Sequence, residues 1–93
     1  MMIESGVYVR IQELDNGPLP LPSLSGFNGN TAYRALGMFT PSETSDAYFI
    51  LCNDRDETWF ICNRHVRVVG AFPNIRAVRL ELSQFKPRLA ATS

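Results

Sequence analysis

Residues 47–62 read AYFILC (47–52), NDRDE (53–57) and TWFIC (58–62). Two apolar runs rich in aromatic and β-branched residues flank a charged turn, the pattern of a β-hairpin. Neither run alternates. A hairpin with one wet face alternates apolar and polar residues. Whichever register the turn sets, both faces are apolar: if Cys52 opposes Thr58, one face carries Tyr48, Ile50, Cys52, Phe60 and Cys62, and the other Ala47, Phe49, Leu51, Trp59 and Ile61. One face fills a core, so the other calls for a further segment, a partner or a ligand.

Working outward, Val7, Val9 and Ile11 alternate with Tyr8, Arg10 and Gln12, which predicts a half-buried strand. It ends at the Asp15–Pro18 breaker cluster. Residues 15–30, DNGPLPLPSLSGFNGN, form a long loop that its prolines and glycines bar from ladder pairing. Its Leu19, Leu21, Leu24 and Phe27 predict packing onto the body, and Pro18–Pro22 also resembles a polyproline II ligand. Residues 31–39 fit a short helix capped by Asn30 or a strand bulged at Gly37; the glycine favours the strand. Asn63-Arg64-His65 interrupts the apolar run, and Val66–Val69 resumes it as a strand. Residues 75–85 fit both periods, with strand preferred, and 89–93 are expected to fray.

Ninety-three residues predict one domain spanning 1–93. The order of strand, long loop, strand, loop, hairpin, irregular turn and strand resembles the SH3-like small barrel. The local match is TWFICNRHVRVV, residues 58–69, where Asn63–His65 would form the one-turn 3₁₀ helix before the closing strand. The resemblance implies a mainly β fold: a five- to six-stranded SH3-like barrel over 6–70, or a strongly bent antiparallel sheet. A C-terminal extension, 71–88, would pack on it, and residues 71–93 are available to cover the hairpin's second face. The chain lacks a proline after Phe60-Ile61 and the acidic-aromatic first strand that lines the SH3 peptide groove, so proline-rich-peptide recognition is not carried over.

Formal net charge is zero, yet residues 1–57 hold three cations and eight anions while 58–93 hold six cations and one anion. The halves either attract each other or offer a basic surface to an anionic partner. Eight of the nine cations are arginine, whose planar fork suits interfaces and bidentate anion contacts. No leader-like pattern and no membrane-spanning apolar run stand out, so a soluble, cytoplasmic protein with no membrane association is expected. Cys52 and Cys62 sit near opposite ends of the hairpin and are expected as reduced thiols.

Catalytic patterns are absent. His65 has no nucleophile in a recognisable frame, and Cys52, Cys62 and His65 lack zinc spacing. The acidic tip, Asp54, Asp56 and Glu57, lacks calcium-loop spacing and reads as a solvated turn that guards the hairpin from aggregation. No cofactor and no metal are expected. The most suggestive set is Tyr48, Trp59, Arg64, His65 and Arg67, since aromatics beside arginines stack bases or bind anions. The opposing reading puts Trp59 in the core with the arginines at its rim.

Three functions follow. The first is a binding module that self-associates, as a homodimer or higher homo-oligomer, through the hairpin's apolar face. The second is a binder of nucleic acid, nucleotide or another anion through the basic C-terminal half. The third is a small enzyme whose site assembles at an oligomer interface.

Overall fold

The computed structural model describes residues 6–43 and 45–85. Seven strands lie in two antiparallel sheets, with no α-helix among the described residues. The strands are β1 (Val7–Ile11), β2 (Thr31–Arg34), β3 (Gly37–Phe39), β4 (Tyr48–Cys52), β5 (Thr58–Cys62), β6 (Val66–Ala71) and β7 (Arg79–Glu81). One sheet runs β6-β1-β2-β7 and the other β3-β4-β5. Neither closes, so the five or six strands of a single closed or strongly bent sheet are replaced by seven in two open ones. Two causes are local. Residues 31–39 break at Ala35-Leu36 into strands of different sheets, and residues 79–81 add a strand beside β2.

The core lies between the sheets. Val9, Ile11, Tyr33, Ala35, Leu51, Ile61 and Val66 are buried there with Phe27, and Phe49 and Trp59 pack against them. Phe27 meets Tyr33 edge-on at 4.9 Å. The hairpin pairs Cys52 with Thr58 and Tyr48 with Cys62, the case for which the two apolar faces are written out above. Gly37 pairs with Ile50 and forms no bulge; the irregularity falls in the β1–β6 ladder, between Tyr8 and Val9.

The long loop packs down only in part. A 3₁₀ turn, Pro22–Ser25, buries Pro22 and Ser25, and Phe27 enters the core, but Leu19 and Leu24 stay 75% and 80% exposed. Of residues 75–85, only 79–81 are strand; Leu82–Phe85 is a 3₁₀ turn. Residues 86–88 of the expected extension and the 89–93 tail lie outside the described residues.

The C-terminal segment covers a second face, but of the other sheet. Tyr8 points away from the core and is nonetheless fully buried. Its hydroxyl donates to the carbonyl of Ala77, Phe72 lies tilted 6.2 Å from its ring, and the Arg34 guanidinium stands 5.9 Å over it. Arg34 also donates to the Ile75 carbonyl from its side chain and to the Val78 carbonyl from its backbone, which straps the segment down.

Candidate functional site

The pairing of β3 on β4 on β5 builds one face from Phe39, Tyr48 and Cys62 in one row and Gly37, Ile50 and Phe60 in the next. Gly37 adds no side chain, which leaves room above the second row. Phe39 and Phe60 fill it, T-shaped with centroids 5.8 Å apart. They remain 48% and 46% exposed, while Tyr48 and Ile50 are half-buried. Cys62, at the end of its row, is buried, and both cysteines are free thiols. Of the hairpin's two apolar faces, the one with Leu51 and Ile61 enters the core and this one does not. Of the described C-terminal segment, the side chain of Arg79 reaches its far corner, 3.6 Å from the Cys52 sulfur.

The five residues singled out from sequence do not converge. Tyr48 stands on this outer face. Trp59 turns to the opposite, core side, where its indole N–H donates to Glu57 Oε1 at 3.3 Å. His65 ends the 3₁₀ turn Asn63–His65 and is wholly buried, away from any surface. Its Nδ1 accepts the Leu14 backbone N–H at 3.1 Å, and its other ring nitrogen lies 2.7 Å from the Pro18 carbonyl. That pattern fixes a neutral ring with the proton on Nε2, clamping the start of the long loop. Arg64 and Arg67 are exposed, and Arg67 donates to the carbonyls of Val66 at 2.9 Å and Arg64 at 3.4 Å.

The basic residues gather elsewhere. Arg67 on β6 stands directly opposite Arg10 on β1, on the outer face that Arg34 also shares. Among the described residues no carboxylate forms an ion pair with any of the three. Arg10 instead donates to the Gln12 side chain at 3.4 Å.

The acidic tip is solvent-exposed, as expected, and it also makes tertiary contacts. Each carboxylate has a partner. Asp54 accepts from the Tyr33 hydroxyl at 2.9 Å and from Asn28 Nδ2 at 2.8 Å. Asp56 pairs with Arg79 at 2.8 Å, so one acidic residue of the first half meets one basic residue of the second. Glu57 gathers donors from Asn53, Arg55 and Trp59, which hold its carboxyl below the usual range, the Asn53 bond foremost. Burial, with Asp54 adding to it, pushes the Tyr33 hydroxyl up to about 12. The ion pair with Asp56 raises Arg79 further above its ordinary value. Gly26 fits beside this joint with φ of 86°, and a Cβ there would lie 2.5 Å from Asn53 Nδ2. The joint ties the two sheets together and leaves no carboxylate free as a base.

Beside the joint runs an open groove of about 510 Å³, lined by Asn28, Asn30, Thr31, Glu81, Leu82 and Ser83. It holds no convergent acid, base and nucleophile. No cluster of three or more metal-ligating side chains occurs among the described residues, and no helix among them is long and apolar enough to cross a membrane.

Sequence reasoning missed Phe39, whose partner Phe60 lies 21 positions away in the chain. Its signal was present, an aromatic ending the 31–39 segment, but only the β3–β4 register places it on the outer face. Arg10 was missed as well, because it belongs to the acidic half. The chain matches no family model, no curated protein and no solved structure.

Proposed function

We propose that this chain is a small interaction module that self-associates through the outer face of β3-β4-β5. The observation that carries the reading is the half-exposed Phe39–Phe60 stack, continuous with Tyr48 and Ile50. Large apolar side chains in one contiguous exposed patch are the mark of an interaction surface. Covering the open halves of both phenylalanines in two copies removes roughly 400 Å² from water. At about 25 cal/mol per Å² that is about 10 kcal/mol gross. Association itself costs about 4–15 kcal/mol. The stack alone therefore supports a weak dimer, with a Kd in the micromolar range or above.

The same reading takes the fold as an SH3-like barrel laid open. Its support is the strand order, β6-β1-β2 and β3-β4-β5, with residues 31–39 feeding both sheets and a 3₁₀ turn between β5 and β6. A fold of this type hosts many functions and assigns none by itself.

Sedimentation velocity from about ten to several hundred micromolar tests the function. Expected is a concentration-dependent dimer for the wild type and a monomer with unchanged circular dichroism for Phe39→Ser. A wild type that stays monomeric throughout overturns the reading.

A second reading is favoured by one observation, the facing Arg10 and Arg67. Like charges directly opposite on a sheet repel unless an anion sits between them. This supports binding of a phosphate-bearing ligand or nucleic acid on the outer face of the four-stranded sheet. Binding of single- and double-stranded oligonucleotides across a salt series tests it: affinity must fall steeply with salt and vanish in Arg10→Gln/Arg67→Gln.

A further inference from the structure

We propose that two copies join along the free edge of β5, pairing antiparallel about Phe60 so that their three-stranded sheets merge into one six-stranded sheet. The inference rests on the self-association reading above and gives it a geometry.

The four sheet edges differ in how they are guarded. Exposed edges are commonly blunted by charge, bulges or shortness. β6 carries Arg67 and the irregular register against β1. β7 is three residues long and carries Arg79 and Glu81. β3 is also three residues long. β5 is five residues, Thr-Trp-Phe-Ile-Cys, with no charge, proline or glycine. Among the described residues its one ladder partner is β4. A second copy of β5 therefore meets it without charge repulsion, whereas β6 against itself would bring two Arg67 side chains to one edge.

The hydrogen-bond phase fixes what that edge shows. Asn53 N–H donates to the Glu57 carbonyl at 2.8 Å, and Asn63 N–H to the Ala47 carbonyl at 2.9 Å. Bonded and non-bonded pairs alternate along an antiparallel ladder. Pairs 51/59 and 49/61 are therefore the bonded ones, and Trp59 and Ile61 spend their backbone groups on β4. The N–H and C=O of Thr58 and Phe60 point outward, and both residues are exposed.

A two-fold axis at Phe60 then places it opposite Phe60 of the partner subunit as a bonded pair. Thr58 falls towards Cys62 of the partner subunit, but Cys62 is wholly buried and caps the 3₁₀ turn, so the backbone contact is the Phe60 pair. Side chains at 60 lie on the Phe39 side of the sheet, so the two Phe39–Phe60 stacks meet in one aromatic strip. Backbone bonds thus add what the exposed phenylalanines alone lack.

The test uses the full chain. Thr58→Pro blunts the edge beside Phe60 and leaves the β4 ladder intact. Sedimentation velocity is expected to show a dimeric wild type and a monomeric Thr58→Pro with unchanged circular dichroism. In the wild type, the Phe60 amide is expected to exchange about tenfold more slowly at high than at low protein concentration. Trp59 and Ile61 amides should stay protected at both. A folded Thr58→Pro that dimerises like the wild type overturns the edge geometry and leaves the apolar-face reading standing. So does a wild-type dimer whose Phe60 amide exchange ignores concentration, a readout that holds even if the proline variant misfolds. A wild type that never dimerises overturns both.

Discussion

Asn53 Nδ2 donates to the Ser25 carbonyl at 2.7 Å, joining the hairpin tip to the long loop across 28 residues of chain. Asn53 is fully buried, and the same amide nitrogen serves Glu57 at 2.8 Å. Its Oδ1 accepts the backbone N–H of Arg55 at 2.9 Å and of Glu57 at 2.8 Å. An orphaned buried polar group costs about 1–3 kcal/mol. Asn53→Ala is expected to lower stability by about 3 kcal/mol in urea denaturation. Asn53→Asp should do no better, since a carboxylate has no proton for Ser25 and repels Glu57.

His65 does for the start of the loop what Asn53 does for its end. Its ring holds Leu14 and Pro18, and its own carbonyl accepts the Gln12 N–H at 2.7 Å. His65→Ala leaves a cavity and two unpaired backbone groups. The expected loss is about 3 kcal/mol, with protease cleavage appearing first between residues 12 and 18. A variant as stable and as resistant as the wild type would remove His65 from this clamping role.

The tip also sets the pH response. Tyr33 has a folded pKa of about 12 against an ordinary value of 10.0, so the folded state holds its proton more tightly. Its contribution is full below about pH 10 and is lost as pH rises toward about 12. Tyr33→Phe should flatten the alkaline fall in Tm over that window. Glu57 has the opposite sign: its lowered pKa stabilises the fold above the ordinary carboxylate range, and the gain is lost as pH falls. Glu57→Gln should flatten the acid side. Thermal melts across pH, variant against wild type, check both.

Arg10 facing Arg67 predicts a gain rather than a loss. Arg67→Glu turns a repelling cross-strand pair into an attracting one, worth about 0.2–1 kcal/mol at low ionic strength. The gain should fade near 1 M salt, where charges are screened within about 3 Å. A gain insensitive to salt would assign it to something other than charge.

Legibility in the sequence divides by range. The hairpin, β1 and the strand after His65 follow from local spacing, the 3₁₀ turn at Asn63–His65 from the resemblance to the SH3-like barrel, and all stand in the structure. What failed depends on distant partners. Nothing in residues 31–39 says that they split between two sheets at Ala35-Leu36. Nothing in residues 72–78 says that Tyr8, not the hairpin, is what they cover. The candidate site followed the same division. Opposite facing of Tyr48 and Trp59 was written in their spacing, whereas the burial of His65 came from Leu14 and Pro18, some fifty residues earlier.

The strap over Tyr8 has a consequence for synthesis. Tyr8 waits for Ala77, 69 residues later, before its hydroxyl is satisfied. A chain emerging from its amino end can close the hairpin at 47–62 early, but β1 gains β6 and the covering segment only when most of the chain is out. β1, which precedes the other described strands in the chain, is thus among the last completed, and until then its apolar residues depend on whatever surrounds the growing chain to keep them from straying.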